Sequence, residues 1–504
     1  MIEYITQAFA VAFTPYGIIA LTLSVLLGLI FGMLPGLTAT MAVALLTGLT
    51  YTFDGPLAVM VLLGIYVGSI SGGSQSAILL NIPGTPASAA TAVDGYPLAR
   101  SGKGGLSIFV ANGSSFFGTL IGVICVALFT PLITSIALKF GAWEMFLLAL
   151  FGIVICGNLT SGGRPLKGWM SGFIGLLLAQ VGLDTVNSMP RFTFGNLDLK
   201  AGISLLPVMI GLFGFPEIVD SFTHEERNVI PITKFKVKEG LSILWKNKLN
   251  ILRSGLLGVT MGAIPGVGED TGGWLSYWAE KKSSKHPETF GKGEINGVVS
   301  AETGNNAAVG GAIIPVLSLA IPGSAPAAVL LAAFWMHGYR PGPLLMRDTP
   351  EFLYYVIVFL SISAIIMWVL ATLLAKGTVK ILQLDNRILM PIIFVCCCIG
   401  AFVVSNRMFD LYLMFFFGIL GVLMRHMNYP SAPFLLGIIL GNMADENVRR
   451  ALILGDGSIL PFFTRPISLF FIAFILFLVL PQIPAFARLM EKVKAKVRKK
   501  KSAS

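Results

Sequence analysis

The sequence is poor in charge. Only 12% of its 504 residues are charged, whereas 55% are hydrophobic and the mean hydropathy is +0.81. A soluble domain carries about twice that charged fraction, so a soluble globular protein is excluded. Disorder is excluded as well, because the apolar content is too high. The composition predicts an all-α integral membrane protein whose outer surface is covered by the lipid bilayer.

Cysteine and histidine are scarce. The five cysteines lie in apolar stretches and the four histidines are scattered, which excludes a disulfide framework and a transition-metal site. P-loop, Rossmann and Ser/His/Asp signatures are missing too, so we predict neither an enzyme nor a cofactor. The N-terminal MIEYITQAFA has no basic region, and a cleaved signal peptide is not expected.

Two segments hold the whole net charge of +11. Residues 488–501 carry a net +7 and residues 223–253 a net +4. Basic segments of membrane proteins stay in the cytoplasm, so both are predicted to be cytoplasmic, the C-terminus included. Residues 488–501 contain no aromatic residue and residues 223–253 contain only Phe235 and Trp245, so nucleic-acid binding is not predicted.

Two apolar regions are interrupted by Gly, Pro, Ser and Asn, and they repeat each other. Gly32 and Gly36 match Gly262 and Gly266 at an offset of 230 residues, whereas the string Ile-Pro-Gly at 82–84 recurs at 321–323 at an offset of 239. We therefore predict a duplication with about 10–12 transmembrane helices plus broken or re-entrant hairpins. The first repeat is predicted over 1–222, with its broken region at 32–105, and the second repeat over 254–466, with its broken region at 258–345. A basic cytoplasmic linker over 223–253 joins them. An extra helix over 467–487 and a basic cytoplasmic tail over 488–504 follow the second repeat.

The charges also predict that the repeats are inverted. Arg100 and Lys103 close the first broken region, and Arg340 and Arg347 close the second. If the linker is cytoplasmic, these two pairs lie on opposite sides of the membrane. Inverted repeats with interrupted helices are typical of secondary transporters, which bind their substrate between the repeats.

Each Pro-Gly break is expected to form a sharp tip between two half-helices. Unpaired backbone groups are expensive in hydrocarbon, so such a break indicates a cavity, and the helix that follows presents N–H groups to an anion. A simple kink is the alternative for any single break. The predicted substrate-binding residues are Ser74, Asn81, Pro83, Gly84, Thr85, Ser88, Pro322, Gly323 and Ser324.

Acidic and amide residues in the second region are candidates for a coupling cation, because ionisable groups in membranes are expensive and commonly functional. The alternative is that Glu269 and Asp270 cap a helix beginning near Thr271, and that Glu302 lies at a wet helix end. Na⁺ is the only metal ion expected to bind, and no transition metal is predicted. The coupling candidates are Glu302, Asn305, Asn306, Asp270, Glu269 and Thr38.

The strings YVGSISGGSQSAILLNIPGTPASAATAVDGYPLARSGKGG and GEINGVVSAETGNNAAVGGAIIPVLSLAIPGSAPAAVLL closely resemble the large membrane subunit of the tripartite tricarboxylate transporter family. The resemblance implies a bacterial inner-membrane importer of carboxylates that works with a small membrane subunit and a periplasmic solute-binding protein and is driven by Na⁺ or H⁺. It also points to Gly72, Gly73, Asp94 and Gly95 as motif residues. The chain departs from the family pattern at Ser71 and Ala301, where a Tyr and a Pro are usual. An anion channel and, less favoured, a membrane-embedded enzyme are the alternative functions.

Overall fold

The structure is a computed structural model, and it describes residues 2–34, 36–184, 187–221, 230, 235–382, 386–403 and 405–482. Pro35, the tail over 488–504 and most of residues 222–234 therefore lie outside the described residues. The described chain is almost entirely helical, which confirms the all-α membrane architecture. The helices are α1 (Ile2–Ala12), α2 (Pro15–Met33), α3 (Ala39–Leu49), α4 (Gly55–Leu80), α5 (Ala89–Leu98), α6 (Gly104–Ala137), α7 (Ala142–Thr160), α8 (Pro165–Leu178), α9 (Leu197–Lys200), α10 (Leu205–Met209), α11 (Phe215–Ser221), α12 (Val237–Lys246), α13 (Lys248–Ala263), α14 (Gly268–Ser283), α15 (Ile295–Leu319), α16 (Ala325–Met336), α17 (Leu345–Asp348), α18 (Glu351–Leu382), α19 (Asn386–Val403), α20 (Met408–His426), α21 (Ser431–Leu454), α22 (Pro461–Thr464) and α23 (Pro466–Val479).

Short irregular turns join some of these helices. Single 3₁₀ turns cover Thr50–Thr52, Pro86–Ser88, Pro287–Thr289 and Leu480–Gln482, and π turns cover Ala99–Lys103 and Ile210–Gly214. The two strands, β1 (Gly182–Leu183) and β2 (Pro190–Arg191), form one antiparallel pair.

Six helical segments are long and apolar enough to cross a membrane, and the chain is a multi-pass membrane protein. Four shorter apolar helices accompany them: Ala39–Thr52, Ala325–Met336, Met390–Val403 and Pro466–Gln482. The six long segments are Pro15–Met33, Gly55–Leu80, Pro86–Ala137, Ala142–Thr160, Glu351–Ala375 and Met408–His426.

The described residues form two compact units. One consists of Met1–Leu138 and Ser204–His426, and the other of Lys139–Ile203 and Met427–Ser504. In the second unit, α7 and α8 pack against α21, and Asp184, Arg191, Asp445 and Arg449 form a network of ion pairs. The predicted repeat boundaries do not coincide with these units and remain a prediction.

At the centre of the first unit lie α4 and α15, whose side chains are buried along almost their whole length. Their many Ser, Asn and Gly residues therefore face protein, which explains why this part of the sequence is too polar for a lipid-facing helix. Small residues let neighbouring helices approach closely. A Cβ on Gly32 of α2 would meet the Ser69 backbone of α4, and a Cβ on Gly262 of α13 would meet the Ala308 backbone of α15.

The matching sequence landmarks have matching structures. Asn81 ends α4 with a φ of 59°, and Ala320 ends α15 with a φ of 57°, both in the left-handed region. The chain then turns back, so that Gly84 N–H donates to the Gly73 carbonyl and Gly323 N–H donates to the Ala312 carbonyl, both at 3.4 Å. In each case donor and acceptor are eleven residues apart in sequence, and the two loops fold back on their helices in the same way.

This geometry corrects the expected pair of half-helices at each break. The helix before each loop is complete, with 26 residues in α4 and 25 in α15. The loop then folds back beside the last turns of that helix, and a shorter helix begins inside the protein. The buried feature at each break is therefore the N-terminus of α5 or α16. We call the loop over 81–88 the first tip and the loop over 320–324 the second tip.

Candidate functional site

The first tip leads into α5 through a 3₁₀ turn that begins at Pro86. Thr85 and Ser88 are buried, and their hydroxyl oxygens lie 3.4 Å apart. The Ser88 hydroxyl donates to the Thr85 carbonyl at 2.9 Å. A Cβ on Gly73 would lie 2.5 Å from both hydroxyl oxygens, so only glycine at 73 lets the tip sit this close to α4.

The second tip already holds a carboxylate of the protein. Ser324 is the N-cap of α16, and its Oγ accepts the Ala327 N–H at 3.3 Å. The same hydroxyl donates to Glu269 Oε1 at 2.9 Å, and Tyr66 also donates to this carboxylate oxygen. Glu269 thus occupies the helix N-terminus at which the sequence predicts substrate.

Glu302 lies in a second polar cluster made by three helices. Its carboxylate accepts hydrogen bonds from the hydroxyls of Thr91 on α5 and Ser115 on α6, the latter at 2.8 Å. On its own helix, the side-chain amides of Asn305 and Asn306 donate to it at 3.3 and 3.4 Å. All five side chains are fully buried. We call these five residues the Glu302 cluster.

The two halves of the molecule meet through reciprocal contacts. The Ser71 hydroxyl on α4 donates to Asn306 Oδ1 on α15 at 2.6 Å. The Tyr66 hydroxyl on α4 lies 3.0 Å from Ser324 of the second tip, and Asn305 Nδ2 on α15 donates to the Ala87 carbonyl of the first tip at 3.1 Å. Tyr66 and Asn305 differ by the repeat offset of 239, so equivalent positions on the two central helices each contact the opposite tip.

These contacts also show that α4 and α15 run antiparallel. Ser71 pairs with Asn306, whereas Tyr66, earlier in α4, pairs with the tip that packs beside Ala312, later in α15. Equivalent helices that run in opposite directions are what an inverted repeat requires.

Both tips lie against α14. A Cβ on Gly268 would lie 2.7 Å from Ser324 Cβ of the second tip, and a Cβ on Gly273 would lie 3.1 Å from the Ala87 carbonyl oxygen of the first tip. These two glycines are five residues apart on α14, which is a rise of about 7.5 Å along the helix axis. The two tips are therefore neighbours, and together with the Glu302 cluster they form one buried polar centre.

Neither buried acid has a basic partner. Among the ion pairs formed by the described residues, no Lys, Arg or His contacts Glu269 or Glu302. A bare buried carboxylate is costly, so this centre favours a proton or a bound cation. Within the described part of the chain, no group of three or more His, Cys, Asp or Glu side chains comes together, and the donors here are oxygens that suit a hard cation.

The remaining predicted residues make no hydrogen bond to Glu302 in the described residues. Thr38 is the N-cap of α3 and accepts the Met41 N–H at 3.2 Å. Asp270 is exposed, and in the described residues neither it nor Thr38 bonds to Glu302. The Ser74 hydroxyl donates to the Ser71 carbonyl at 2.8 Å within α4. Asn81 is exposed, and Pro83 and Pro322 shape the two tips.

The sequence profile of the tripartite tricarboxylate transporter TctA family matches residues 18–436, a span that includes both tips, both buried acids and α14. The chain belongs to this family. Membership implies the large membrane subunit of a tripartite system that also has a small membrane subunit and a periplasmic binding subunit. The resemblance stated from the two sequence strings is thereby confirmed.

Two relatives of this TctA-family chain come from Agrobacterium vitis. One, described as an uncharacterized 52.8 kDa protein in the TAR-I ttuC' 3' region, is 36% identical over 475 residues, which are 93% of each chain. Another, described as an uncharacterized protein in the TAR-II ttuC' 3' region, is 36% identical over 211 residues, covering 42% of this chain and 87% of the relative. No solved structure matches the chain.

Sequence reasoning missed three polar residues of this TctA-family centre. Tyr66 was detectable, because the repeat offset of 239 pairs it with Asn305. Thr91 and Ser115 carry no such signal, since they reach Glu302 only through the packing of α5 and α6 against α15.

Proposed function

We propose that the protein is a secondary active transporter that imports organic anions, namely di- or tricarboxylates, across the bacterial inner membrane. It works as the large permease subunit of a tripartite, binding-protein-dependent system and couples uptake to a gradient of Na⁺ or H⁺. Family membership supports the transporter class. One observation carries the mechanism: two helix N-termini and two unpaired buried acids share one enclosed polar centre.

A substrate carboxylate is proposed to bind at the first tip. The N-terminus of α5 and the Thr85 hydroxyl supply donors for an anion, and the Ser88 hydroxyl becomes a further donor when it turns away from the Thr85 carbonyl. In the described residues, no protein carboxylate contacts these two hydroxyls, whereas the second tip is filled by Glu269. The first tip is therefore the better site for the substrate in this conformation.

The coupling cation is proposed to bind in the Glu302 cluster. Glu302 supplies the charge, and the Thr91 and Ser115 hydroxyls and the two Asn amides supply further oxygens. Each hydroxyl oxygen keeps lone pairs that can coordinate a cation even while its proton is donated in a hydrogen bond. If the coupling ion is H⁺ instead, a proton bound to the Glu302 carboxylate neutralises the same negative charge.

Coupling follows from charge. An anionic substrate that enters beside two bare carboxylates meets strong repulsion in a low dielectric. A cation or proton bound at Glu302 removes part of that repulsion, so the substrate binds better when the coupling ion is present. Because such coupling is reciprocal, bound substrate in turn raises the affinity of the Glu302 cluster for the ion.

The orientation of the first unit is proposed from its charges. Arg253 pairs with Glu280 near the lysine-rich end of α14, and Gly293 packs beside Leu98, just before Arg100. Phe235, at the start of the basic α12 region, packs on Phe109 of α6 with ring centroids 5.3 Å apart. These basic segments share one side of the unit, which we propose to be cytoplasmic.

Reconstitution tests the proposal. Vesicles containing the chain with its small membrane subunit and periplasmic binding protein are supplied with labelled di- and tricarboxylates under imposed Na⁺ or pH gradients. Uptake above the equilibrium concentration that stops when the gradient is collapsed is expected. Purely downhill flux indicates a channel, and recovery of chemically altered substrate indicates an enzyme; either result overturns the proposal.

A further inference from the structure

An apolar groove lies beneath α12. This helix crosses the first turns of α6, where Gly240 packs on Phe109 and Leu244 packs on Gly113. The groove has a volume of about 680 Å³ and runs between α6, α12, α13 and α18. Its apolar walls include Phe117, Ile121, Leu241, Ile251 and Leu252.

The groove leads inward from the basic side of the first unit. Phe117 lies four residues beyond Gly113, or about 6 Å further along the α6 axis. The exposed face of α12 carries Leu241 and Trp245 together with lysines. An amphipathic helix with Trp and Lys at the end of spanning helices is typical of the membrane–water interface, so the groove opens where lipid headgroups meet acyl chains.

Cationic groups surround the opening. Lys238 and Lys248 both line the groove and are exposed. The Lys248 ammonium lies 5.0 Å from the ring centroid of Trp245, whose side chain is 73% exposed. Residues 236–253 contain five basic residues and one acidic residue. The opening is therefore complementary to an anion.

A polar donor lies deeper in the groove. Trp368 of α18 lines it and stacks on Phe116 with ring centroids 5.0 Å apart. Its indole Nε1 is buried, and in the described residues it has no hydrogen-bond partner. A buried unpaired N–H costs free energy, and a ligand that brings an acceptor to this depth removes that cost.

We propose that this groove is a binding site for an anionic phospholipid. One acyl chain lies against Phe117 and Ile121, the phosphate contacts Lys238 and Lys248, and an ester carbonyl accepts the Trp368 N–H. Basic pockets between helices on the cytoplasmic side of membrane proteins bind such headgroups. The site rests on the proposed orientation of the first unit but not on the proposed substrate or coupling ion, because it shares no residue with the tips or the Glu302 cluster.

Native mass spectrometry of the purified full chain tests the site with phosphatidylglycerol and phosphatidylcholine of identical acyl chains. Wild type is expected to retain phosphatidylglycerol preferentially. Each lysine near an anionic surface contributes about 1 kcal/mol, so the double variant Lys238→Gln with Lys248→Gln should bind it about thirtyfold more weakly. Trp368→Phe, which keeps the ring, and Ser242→Phe, which fills the groove, should both weaken binding with the lysines in place.

Lys282 provides a matched control. Its ammonium lies 4.8 Å from the ring centroid of exposed Trp278, outside the groove, and Lys282→Gln should leave lipid binding unchanged. Equal retention of the two lipids, or an equal loss in Lys282→Gln, overturns the proposal. So does displacement of the lipid by soluble glycerol phosphate, which indicates a free-phosphate site. Loss of the small membrane subunit from the double variant with unchanged lipid binding overturns it as well, by showing that the groove is a protein interface.

Discussion

Ser324 and Glu269 are joined by a 2.9 Å hydrogen bond in which the N-cap hydroxyl of α16 donates to a buried carboxylate. The equivalent position to Glu269 in the first half, at the offset of 230, is Ala39. The two tips therefore fold back in the same way but differ in charge. One is filled by an acid of the protein, whereas in the described residues no carboxylate bonds to the Thr85 and Ser88 hydroxyls of the other.

Replacing Glu269 with Gln should weaken the dependence of substrate binding on the coupling ion. The variant removes one of two unpaired negative charges and keeps the shape of the side chain. Without Na⁺ at neutral pH, a dicarboxylate should bind about tenfold more tightly than to wild type, because a like charge at the neighbouring second tip is lost. Isothermal titration with and without Na⁺ measures this change.

Asp270→Asn is the matched control, since Asp270 is adjacent in sequence but exposed. Because solvent screens the charge of Asp270 more than that of buried Glu269, this variant should change the Na⁺ dependence much less than Glu269→Gln does. Weaker binding to Glu269→Gln at every Na⁺ concentration would contradict the assignment, because Glu269 would then assist the substrate rather than repel it.

The first tip should be sensitive to loss of a single hydroxyl. Thr85→Val keeps the size of the side chain and removes one donor to the substrate carboxylate. Hydrogen bonds to charged groups contribute about 1.5–3 kcal/mol, so the half-saturation concentration for uptake should rise about 10- to 100-fold at normal membrane abundance. Thr47→Val is the control, because Thr47 is also buried but, among the residues that the structure describes, its hydroxyl bonds only to the Val43 carbonyl within α3. Equal uptake by wild type and Thr85→Val would remove the tip from the substrate site.

The tips were predictable because each depends on a local signal. Pro-Gly next to a hydroxyl residue ends a helix, and the repetition of Ile82–Gly84 at Ile321–Gly323 marks both tips as related. The same signal does not show where α4 and α15 end. Each helix ends at a residue in the left-handed conformation, Asn81 or Ala320. Because Ala does not favour that conformation, the end of α15 could not be predicted from its sequence.

The composition of the Glu302 cluster was predictable only in part. Glu302, Asn305 and Asn306 lie on one helix at spacings of three and four residues, which place them on one face. Thr91 and Ser115 come from other helices, and their approach is decided by tertiary packing that a single sequence does not encode locally. The same is true of Glu269, which bonds to Ser324 rather than to Glu302.

Glu302→Gln should uncouple transport from the ion gradient. The substitution keeps the hydrogen-bonding shape but removes the charge that attracts Na⁺ or a proton. Uptake driven by an imposed gradient should be lost, whereas exchange of labelled for unlabelled substrate across the same vesicles should persist. Ser115→Ala removes one oxygen of the cluster and should raise the half-saturating Na⁺ concentration.

Thr119→Val serves as the control on the same helix as Ser115. Thr119 lies one turn further along α6, and its hydroxyl donates to the Ser115 carbonyl at 2.9 Å. It should have normal ion dependence. If gradient-driven uptake survives in Glu302→Gln, the coupling ion binds elsewhere.

Adding a methyl group at either tip glycine should destabilise the protein. A Cβ on Gly84 would collide with the Gly32 carbonyl oxygen, and a Cβ on Gly323 would collide with the Gly262 carbonyl oxygen. Backbone atoms of a neighbouring helix cannot rotate away, so Gly84→Ala and Gly323→Ala should each cost about 1–3 kcal/mol. Thermal aggregation of the detergent-solubilised protein measures the loss. Gly377→Ala is the control, because a Cβ at Gly377 within α18 has nothing within 4 Å; since Ala favours a helix more than Gly does, its midpoint should not fall below the wild-type value. Wild-type stability of both tip variants would show that the two loops do not pack against α2 and α13 as described.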